Sequence, residues 1–368
     1  MGVLEKLDTV IIAGDVPSWL PSGLEQVGQG RTLRISAKLK RVEPEKETIS
    51  AKREQRRCNN MGKLRIATIG YLLTDWLMAV EHFPITPGDH QKLNELDIEL
   101  GGMCNFLIAG RRLGGEMVAL DTIGADRNGK LLLEALKAEG VDVTQVVKVK
   151  GARSRAVVVM STSDQQYAFM GYPGSELTEQ GLSAKWKAAL DGADALYLDG
   201  FSLLQEHISG TALKVAKEMH ARGGKVFLDP GPRVAEIARQ ELSYVNVVLL
   251  TANELKAWVG LEGAEGAWSL LDEGPELVVV KQGREGCTIF SACQEIRCAG
   301  YSVTVRDTLG AGDVFNAAFV LALLQGKSLA ECGALANSAG AAQVQKFGAG
   351  RNVPSREEVE AIFKKGKQ

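Results

Sequence analysis

The chain has 368 residues, of which 45% are apolar and 24% charged, with a formal net charge of -2. That composition builds a large core, and the near balance of charge excludes a general attraction to nucleic acid or to an anionic membrane. The six cysteines form no Cys-x-x-Cys pair, so they read as free thiols of a reducing, cytoplasmic setting, and no apolar run approaches the ~18–20 residues that a membrane span requires.

Residues 1–60 differ from the rest. From Arg31 to Asn60 the chain is charged, with both signs mixed and few large apolar residues. Such a stretch buries too little surface to offset its ordering entropy, so 1–60 is expected to be a disordered leader. It reads alternatively as an organelle (plastid) targeting segment, against which its acidic residues argue. Leu64–Gly70 is the first clean strand, and the folded domain is expected over 61–368. Further strands are expected at Met117–Ile123, Ala195–Leu198, Val226–Asp229, Val245–Leu250 and Leu277–Lys281. Several of these are continuous Val/Leu runs, as in parallel strands buried on both faces. Helices are expected at Phe106–Leu113, Lys130–Glu139, Leu177–Asp191, Ile208–Arg222 and Val314–Leu324. Strand–helix alternation of this kind predicts a doubly wound α/β sheet. Two segments break the rhythm: Leu77–Leu100, with β-like alternation around Pro84 and Pro87, and Arg155–Met170, a hairpin turning at Ser163-Asp164. Paired with each other they would make a small side sheet, a lid.

The segment richest in chemistry is Asp307-Thr308-Leu309-Gly310-Ala311-Gly312-Asp313-Val314-Phe315-Asn316. A strand-like stretch, Tyr301–Val305, feeds a loop of small residues and then an amphipathic helix. Gly310 and Gly312 let several amides converge at the positive end of the helix dipole, which is an anion site. Asp313 lies in the first helical turn beside it. A carboxylate next to an anion cradle suits phosphoryl transfer to a hydroxyl, although an Asp after a Gly-rich turn also serves simply to start a helix.

This stretch resembles the second signature of the ribokinase (PfkB) family of carbohydrate kinases, and further landmarks follow in the family's order. The resemblance implies a ribokinase-like three-layer αβα doubly wound sheet with a small β-sheet lid, and an ATP-dependent kinase that phosphorylates a primary hydroxyl of a sugar-like molecule. It implies Asp313 as base and Gly310, Ala311 and Gly312 as anion hole. Asp75, Gly102 and Asn105 then stand where the family contacts substrate. Lys281-Gln282-Gly283-Arg284-Glu285-Gly286 looks like the Gly-rich loop bordering ATP, and Asn337 with the segment around Gly348 lies where the family holds adenine and ribose. Asp307 would stand near a monovalent cation, K⁺. Asn253-Glu254-Leu255-Lys256 matches the family's Asn-x-x-Glu motif with Lys256 in place of Glu, so Asn253 is carried over and Lys256 is not a ligand. Mg²⁺ is expected with the nucleotide phosphates.

Asp229-Pro230-Gly231-Pro232-Arg233 follows a strand, where ligands of open α/β sheets bind. Arg233 there is a candidate anchor for an anionic or hydroxylated substrate, and family members acting on acidic or keto sugars are similar here. Arg155, on a lid strand, reads as a surface residue or a second anchor, and the four histidines read as structural. A homodimer through the lid strands would protect their edges. The competing reading is a catalytically silent scaffold or regulatory subunit of the same fold, favoured by Lys256 and opposed by the intact Gly310–Asp313. A dinucleotide oxidoreductase or a Walker-type kinase lacks its glycine motif here.

Overall fold

The protein is described by a computed structural model covering residues 63–366 except 165, 176 and 178–182. The expected leader, 1–60, lies outside the described residues. The elements run β1 (Arg65–Ile69), β2 (Leu72–Ala79), β3 (Glu95–Gly102), α1 (Met103–Arg112), β4 (Glu116–Leu120), β5 (Thr122–Gly124) and α2 (Arg127–Ala138). Next come β6 (Val147–Val149), β7 (Ala156–Ser161), β8 (Tyr167–Tyr172), α3 (Ala184–Asp191), β9 (Ala195–Asp199), α4 (Gly200–Leu203) and α5 (Ser209–Ala221). The chain continues through β10 (Lys225–Asp229), β11 (Val247–Thr251), α6 (Ala252–Val259), α7 (Gly263–Leu271), β12 (Leu277–Lys281), β13 (Cys287–Ser291) and β14 (Gln294–Cys298). It ends with α8 (Ala311–Leu324), α9 (Leu329–Gln343) and α10 (Arg356–Lys365).

The central sheet has eight strands in the order β14-β13-β12-β11-β10-β9-β1-β4. All neighbours pair in parallel except β12–β13 and β13–β14. Successive side chains of each strand enter opposite layers. Tyr197 and Phe227 pack with α1, α8 and α9, whereas Leu196, Leu198, Val226 and Leu228 pack with α5, α6 and α7. This is the period-2 alternation of a strand covered on both faces, and it makes the fold a three-layer αβα sandwich. Phe106 of α1 stacks on Tyr197 of β9, ring centroids 3.6 Å apart, so the helix that carries Asn105 is fixed to the middle of the sheet.

The lid is a four-stranded sheet, β3-β2-β7-β8. Its registers put Asp75 opposite Glu99 on β3 and Val157 on β7. By alternation Asp75, Leu77, Glu99 and Tyr167 share one face, and Trp76, Leu96, Met170 and Tyr172 the other.

Three expectations are corrected. The first lid strand begins at Leu72, not Leu77, because Gly70, with φ of +68°, turns the chain from β1 directly into β2. The expected strand Met117–Ile123 divides into β4 and β5 at Asp121, whose buried carboxylate accepts from Leu72 N and Thr122 N. Tyr301–Val305 joins no strand, and just beyond it the amides of Arg306 and Asp307 donate to Val344 O. Its alternation is that of an extended segment with one side against the protein. The helix expected over Leu177–Asp191 is described from Ala184.

Candidate active site

The loop before α8 is shaped by Gly310, whose φ of +74° makes it the left-handed N-cap of the helix. A side chain there would meet Ala349 Cβ at 2.7 Å. Beyond this turn the amides of Gly312 and Asp313 lead the helix, where α-helical geometry supplies no acceptor. A Cβ on Gly312 would stand 3.5 Å from Lys281 Nζ. An ammonium group and the positive end of a helix therefore face one small gap, an arrangement that favours a phosphate-sized anion.

Asp313 is half-covered at its surface and its carboxyl is deep. Its Oδ2 accepts from Asn105 Nδ2 at 2.9 Å, and Asn105 Oδ1 accepts from Gly350 N at 2.8 Å, which fixes the amide's orientation. Burial pushes the Asp313 carboxyl up to about 7, against the Asn105 hydrogen bond, while Asp229 raises it and Lys281 lowers it. A carboxylate poised near neutrality is suited to general-base work.

Lys281, at the end of β12, donates to Asp229 Oδ2 at 2.8 Å. Burial disfavours its charge, but Asp229 and Glu254 outweigh it and keep the ammonium protonated. Asn316 of α8 donates to the same Asp229 oxygen at 2.5 Å and to Tyr197 Oη at 2.9 Å. Asn316 lies three residues after Asp313, on the same helix face. That spacing was the available signal for a residue the sequence reading left out of the site.

Asp75 enters from the lid. It is 6% exposed and packs against Gly101, where any Cβ would fall 2.1 Å from Oδ2. Burial, then Asp313, then Glu99 raise its carboxyl to about 7. Gly102 has φ of +56°, and a side chain on it would meet Tyr71 O at 2.5 Å. Gly102 therefore shapes the turn beneath Asp75 by backbone alone. Glu99 is neutralised by Arg351, at 2.8 and 3.0 Å. Asp199, at the end of β9 and in register with Asp229 of β10, accepts from Ser202 N and Oγ. Burial raises it to about 6 against those bonds.

Beside Gly312 and Lys281 opens a cavity of about 640 Å³, whose wall also includes Gly283, Gly286 and Asn337. Val303, Val305, Phe315 and Val344 supply an apolar side suited to a flat ring. Asn337 Nδ2 is held by Cys298 O and Ala299 O. Two sequence-selected residues stand apart from this wall. Asn253 is exposed in the first turn of α6. Gly348 gives its N–H to Asp307 Oδ2 and its carbonyl to Gln343 Nε2. Lys256 forms an exposed ion pair with Glu262 at 2.5 Å, away from the cavity. Glu254 turns inward in a capping box with Thr251, its carboxyl raised by burial and by Asp229. Among the described residues no cluster of three or more His, Cys, Asp or Glu could hold a metal ion.

Asp307 accepts from Tyr167 Oη at 2.5 Å, Leu309 N at 2.8 Å and Gly348 N at 2.7 Å. The carboxylate expected beside a monovalent cation is thus a hydrogen-bond hub that ties lid strand β8 to the loop before α8. Arg233 is exposed and its Nε donates to Glu236 Oε1 at 2.6 Å. Arg155 corrects the surface expectation. It and Asp121 are both 0% exposed, joined at 2.9 and 3.2 Å, with Arg155 Nη2 2.7 Å from His207 Nε2.

The chain matches the profile described as "pfkB family carbohydrate kinase" over residues 63–356. It is 28% identical over 305 residues to a ribokinase of Haemophilus influenzae, covering 80% of this chain and 96% of that protein. It is also 28% identical to a rice fructokinase-1, covering 70% and 86%. Among solved structures, Arabidopsis thaliana ribokinase complexed with ribose and ATP superposes with a TM-score of 0.73 at 26% identity, covering 82% of this chain and 99% of that one. Ribokinase from Thermotoga maritima superposes with a TM-score of 0.69 at 27% identity, covering 82% and 99%.

Proposed function

Because the chain belongs to the pfkB family of carbohydrate kinases, we propose that it transfers the terminal phosphoryl group of ATP to a primary hydroxyl of a sugar or sugar-like molecule. Asp313 is the general base and the amides of Gly310–Gly312 form the anion hole. The observation that carries this reading is the placement of Asp313. It is half-buried, oriented by Asn105, raised to about 7, and set in the helix turn whose amides and neighbouring Lys281 face one anion-sized gap.

The roles follow from position. The cavity bordered by Gly283, Gly286 and Asn337 takes the nucleotide, its apolar wall against the base. Gly283 leaves open space where a side chain would stand. The phosphate to be transferred lies at the first turn of α8, where helix amides and Lys281 offset the charge that develops on it. The acceptor hydroxyl sits between Asp75, Asn105 and Asp313. Asp313 takes its proton, the new O–P bond forms, and the bond to the departing ADP breaks. The lid excludes water, which would otherwise compete as acceptor. Asp229 and Asn316 position Lys281. Mg²⁺ bound with the nucleotide would offset the charge of its phosphates, and Asp229 and Glu254, the carboxylates beside Lys281, would hold it.

The test is ADP formation by the full chain against a panel of ribose, ketohexoses and nucleosides, beside Asp313→Asn. Turnover that depends on one acceptor class and is lost in the variant is the expected result. Equal turnover by wild type and variant would remove Asp313 from its role.

We also propose a homodimer through the lid. The lid face opposite Asp75 leaves Trp76, Leu96, Met170 and Tyr172 36–60% exposed, and contiguous apolar patches of this kind mark association surfaces. A second copy of the same sheet is the self-complementary occupant.

A further inference from the structure

Two thiols face each other behind the wall of the cavity. Cys287 opens β13 and Cys298 closes β14, and the antiparallel register sets them directly opposite one another. Opposed residues of an antiparallel pair have Cα atoms about 4.5–5.5 Å apart and side chains on one face. A disulfide accepts Cα separations of about 4.4–6.8 Å, so this pair can be bridged without unfolding either strand. Both are free thiols, 1% and 8% exposed. β14 is an edge strand of the sheet, so Cys298 is the thiol that an oxidant meets first. Each also acts on the other's ionisation. Cys287 holds Cys298 below the ordinary thiol range against burial, whereas Cys298 and burial raise Cys287. The thiolate is the reactive form, which makes Cys298 the nucleophile of the pair.

The pair adjoins the cavity through main chain. Gly286, just before Cys287, and Gly300, two residues after Cys298, both line it. A side chain on Gly286 would fall 2.1 Å from Cys298 O, and one on Gly300 2.2 Å from Arg284 O. The Gly283–Gly286 loop and the end of β14 thus pack backbone on backbone, with no slack between them. Asn337 of α9, also in the cavity wall, donates to Cys298 O at 2.8 Å and to Ala299 O at 3.1 Å. One turn earlier on the same helix, Cys298 Sγ donates to Ala330 O at 3.7 Å, and a Cβ on Gly333 would meet that sulfur at 2.4 Å.

We propose that Cys287 and Cys298 form a reversible disulfide when hydrogen peroxide oxidises them, and that the bridged protein binds nucleotide more weakly. The bridge stands apart from the kinase reading; its effect rests on the reading of the cavity as the nucleotide site. The Cys298 thiolate attacks the peroxide, the O–O bond breaks, and Cys298 becomes a sulfenic acid as hydroxide leaves. The Cys287 thiol then attacks that sulfur, the S–S bond forms, and the S–OH bond breaks with loss of water. Two thiols give up two electrons and two protons, and one peroxide becomes two waters. Bridging draws the sulfur atoms to about 2.05 Å. That movement pulls Cys298 away from Ala330 and Gly333 and shifts the carbonyls that hold Asn337. The Gly283–Gly286 loop, packed on the same backbone, must follow.

In the experiment the full chain is reduced, freed of reductant and treated with hydrogen peroxide. Non-reducing peptide mapping locates the bridge, and calorimetry gives the Kd for ATP before oxidation, after it, and after dithiothreitol. A Cys287–Cys298 linkage is expected, with ATP binding weakened about tenfold and restored by dithiothreitol. By reciprocity, saturating ATP then raises the midpoint potential of the pair by about 30 mV in dithiothreitol redox buffers. In Cys298→Ala, oxidation should leave the Kd unchanged, whereas Cys293→Ser, at the exposed turn between the two strands, should respond as wild type does. Should Cys298→Ala fail to fold, the potential shift of the wild type decides. Oxidation that gives no Cys287–Cys298 linkage would overturn this inference and leave the kinase intact, and so would bridged protein that binds ATP within twofold of the reduced form. Reduced protein that binds no ATP would overturn the nucleotide reading of the cavity, and the effect of the bridge with it.

Discussion

Arg155→Met is expected to cost the folded domain about 3–5 kcal/mol, the penalty for leaving one partner of a buried ion pair uncompensated. Arg155 and Asp121 have no exposed side-chain surface, and the guanidinium meets both carboxylate oxygens. It also donates to Leu72 O at 3.3 Å and lies over the Tyr71 ring at 5.5 Å. Methionine fills much of the volume and removes the charge, so the loss is electrostatic rather than a cavity. Asp121 retains the amides of Leu72 and Thr122, which sets the expected loss at the lower end, about 3 kcal/mol. Adding Asp121→Asn to Arg155→Met should restore 1 kcal/mol or more, because the stranded charge disappears. The assay is equilibrium urea unfolding, read as a lower midpoint at unchanged m-value. A loss below about 1 kcal/mol, the range of exposed pairs, would refute the claim that this pair is a dry strut between lid and core.

Three other outcomes follow. The acidic limb of kcat/KM should fall as pH drops through about 7, because Asp313 must be unprotonated to accept a proton and burial raises its pKa to that value. Asp75, also raised to about 7, steepens the limb, so the apparent pKa values belong to the pair; a flat profile down to pH 5 would contradict both shifts. Tyr167→Phe removes a lid-to-loop hydrogen bond to a charged acceptor, and should cost about 1.5–3 kcal/mol in unfolding experiments. Leu96→Glu, placed on the outer lid face where Leu96 is 60% exposed, should give a monomer by light scattering; a monomeric wild type would refute the lid dimer.

The sheet was legible because buried parallel strands are written as uninterrupted apolar runs. The strand expected at Leu277–Lys281 has those same bounds in the structure, one residue beyond the valine run at each end. The helix expected from Val314 begins three residues earlier, at Ala311, because Gly310 supplies the left-handed cap. Asp313, Asn105 and Asp75 were legible by motif, and the fold brings them together from α8, α1 and β2. Arg155 was not legible, since its partner is 34 residues away and nothing local separates a buried arginine from an exposed one. Arg233 lies in a loop whose sequence points to ligand binding, and in the structure its guanidinium pairs with the exposed Glu236, three residues on. Asp199 is the last residue of an ordinary strand, and only the register of β9 with β10 brings it beside Asp229.

The central claim is tested most directly by single-turnover kinetics. Full-length protein preloaded with radiolabelled ATP is mixed with a saturating acceptor, and phosphoryl transfer is followed by rapid quench for wild type and Asp313→Asn. If Asp313 is the base, the transfer step slows by about 10²–10⁴-fold while ATP affinity stays within threefold of wild type. A transfer rate within tenfold of wild type would show that the proton goes elsewhere and would contradict the account.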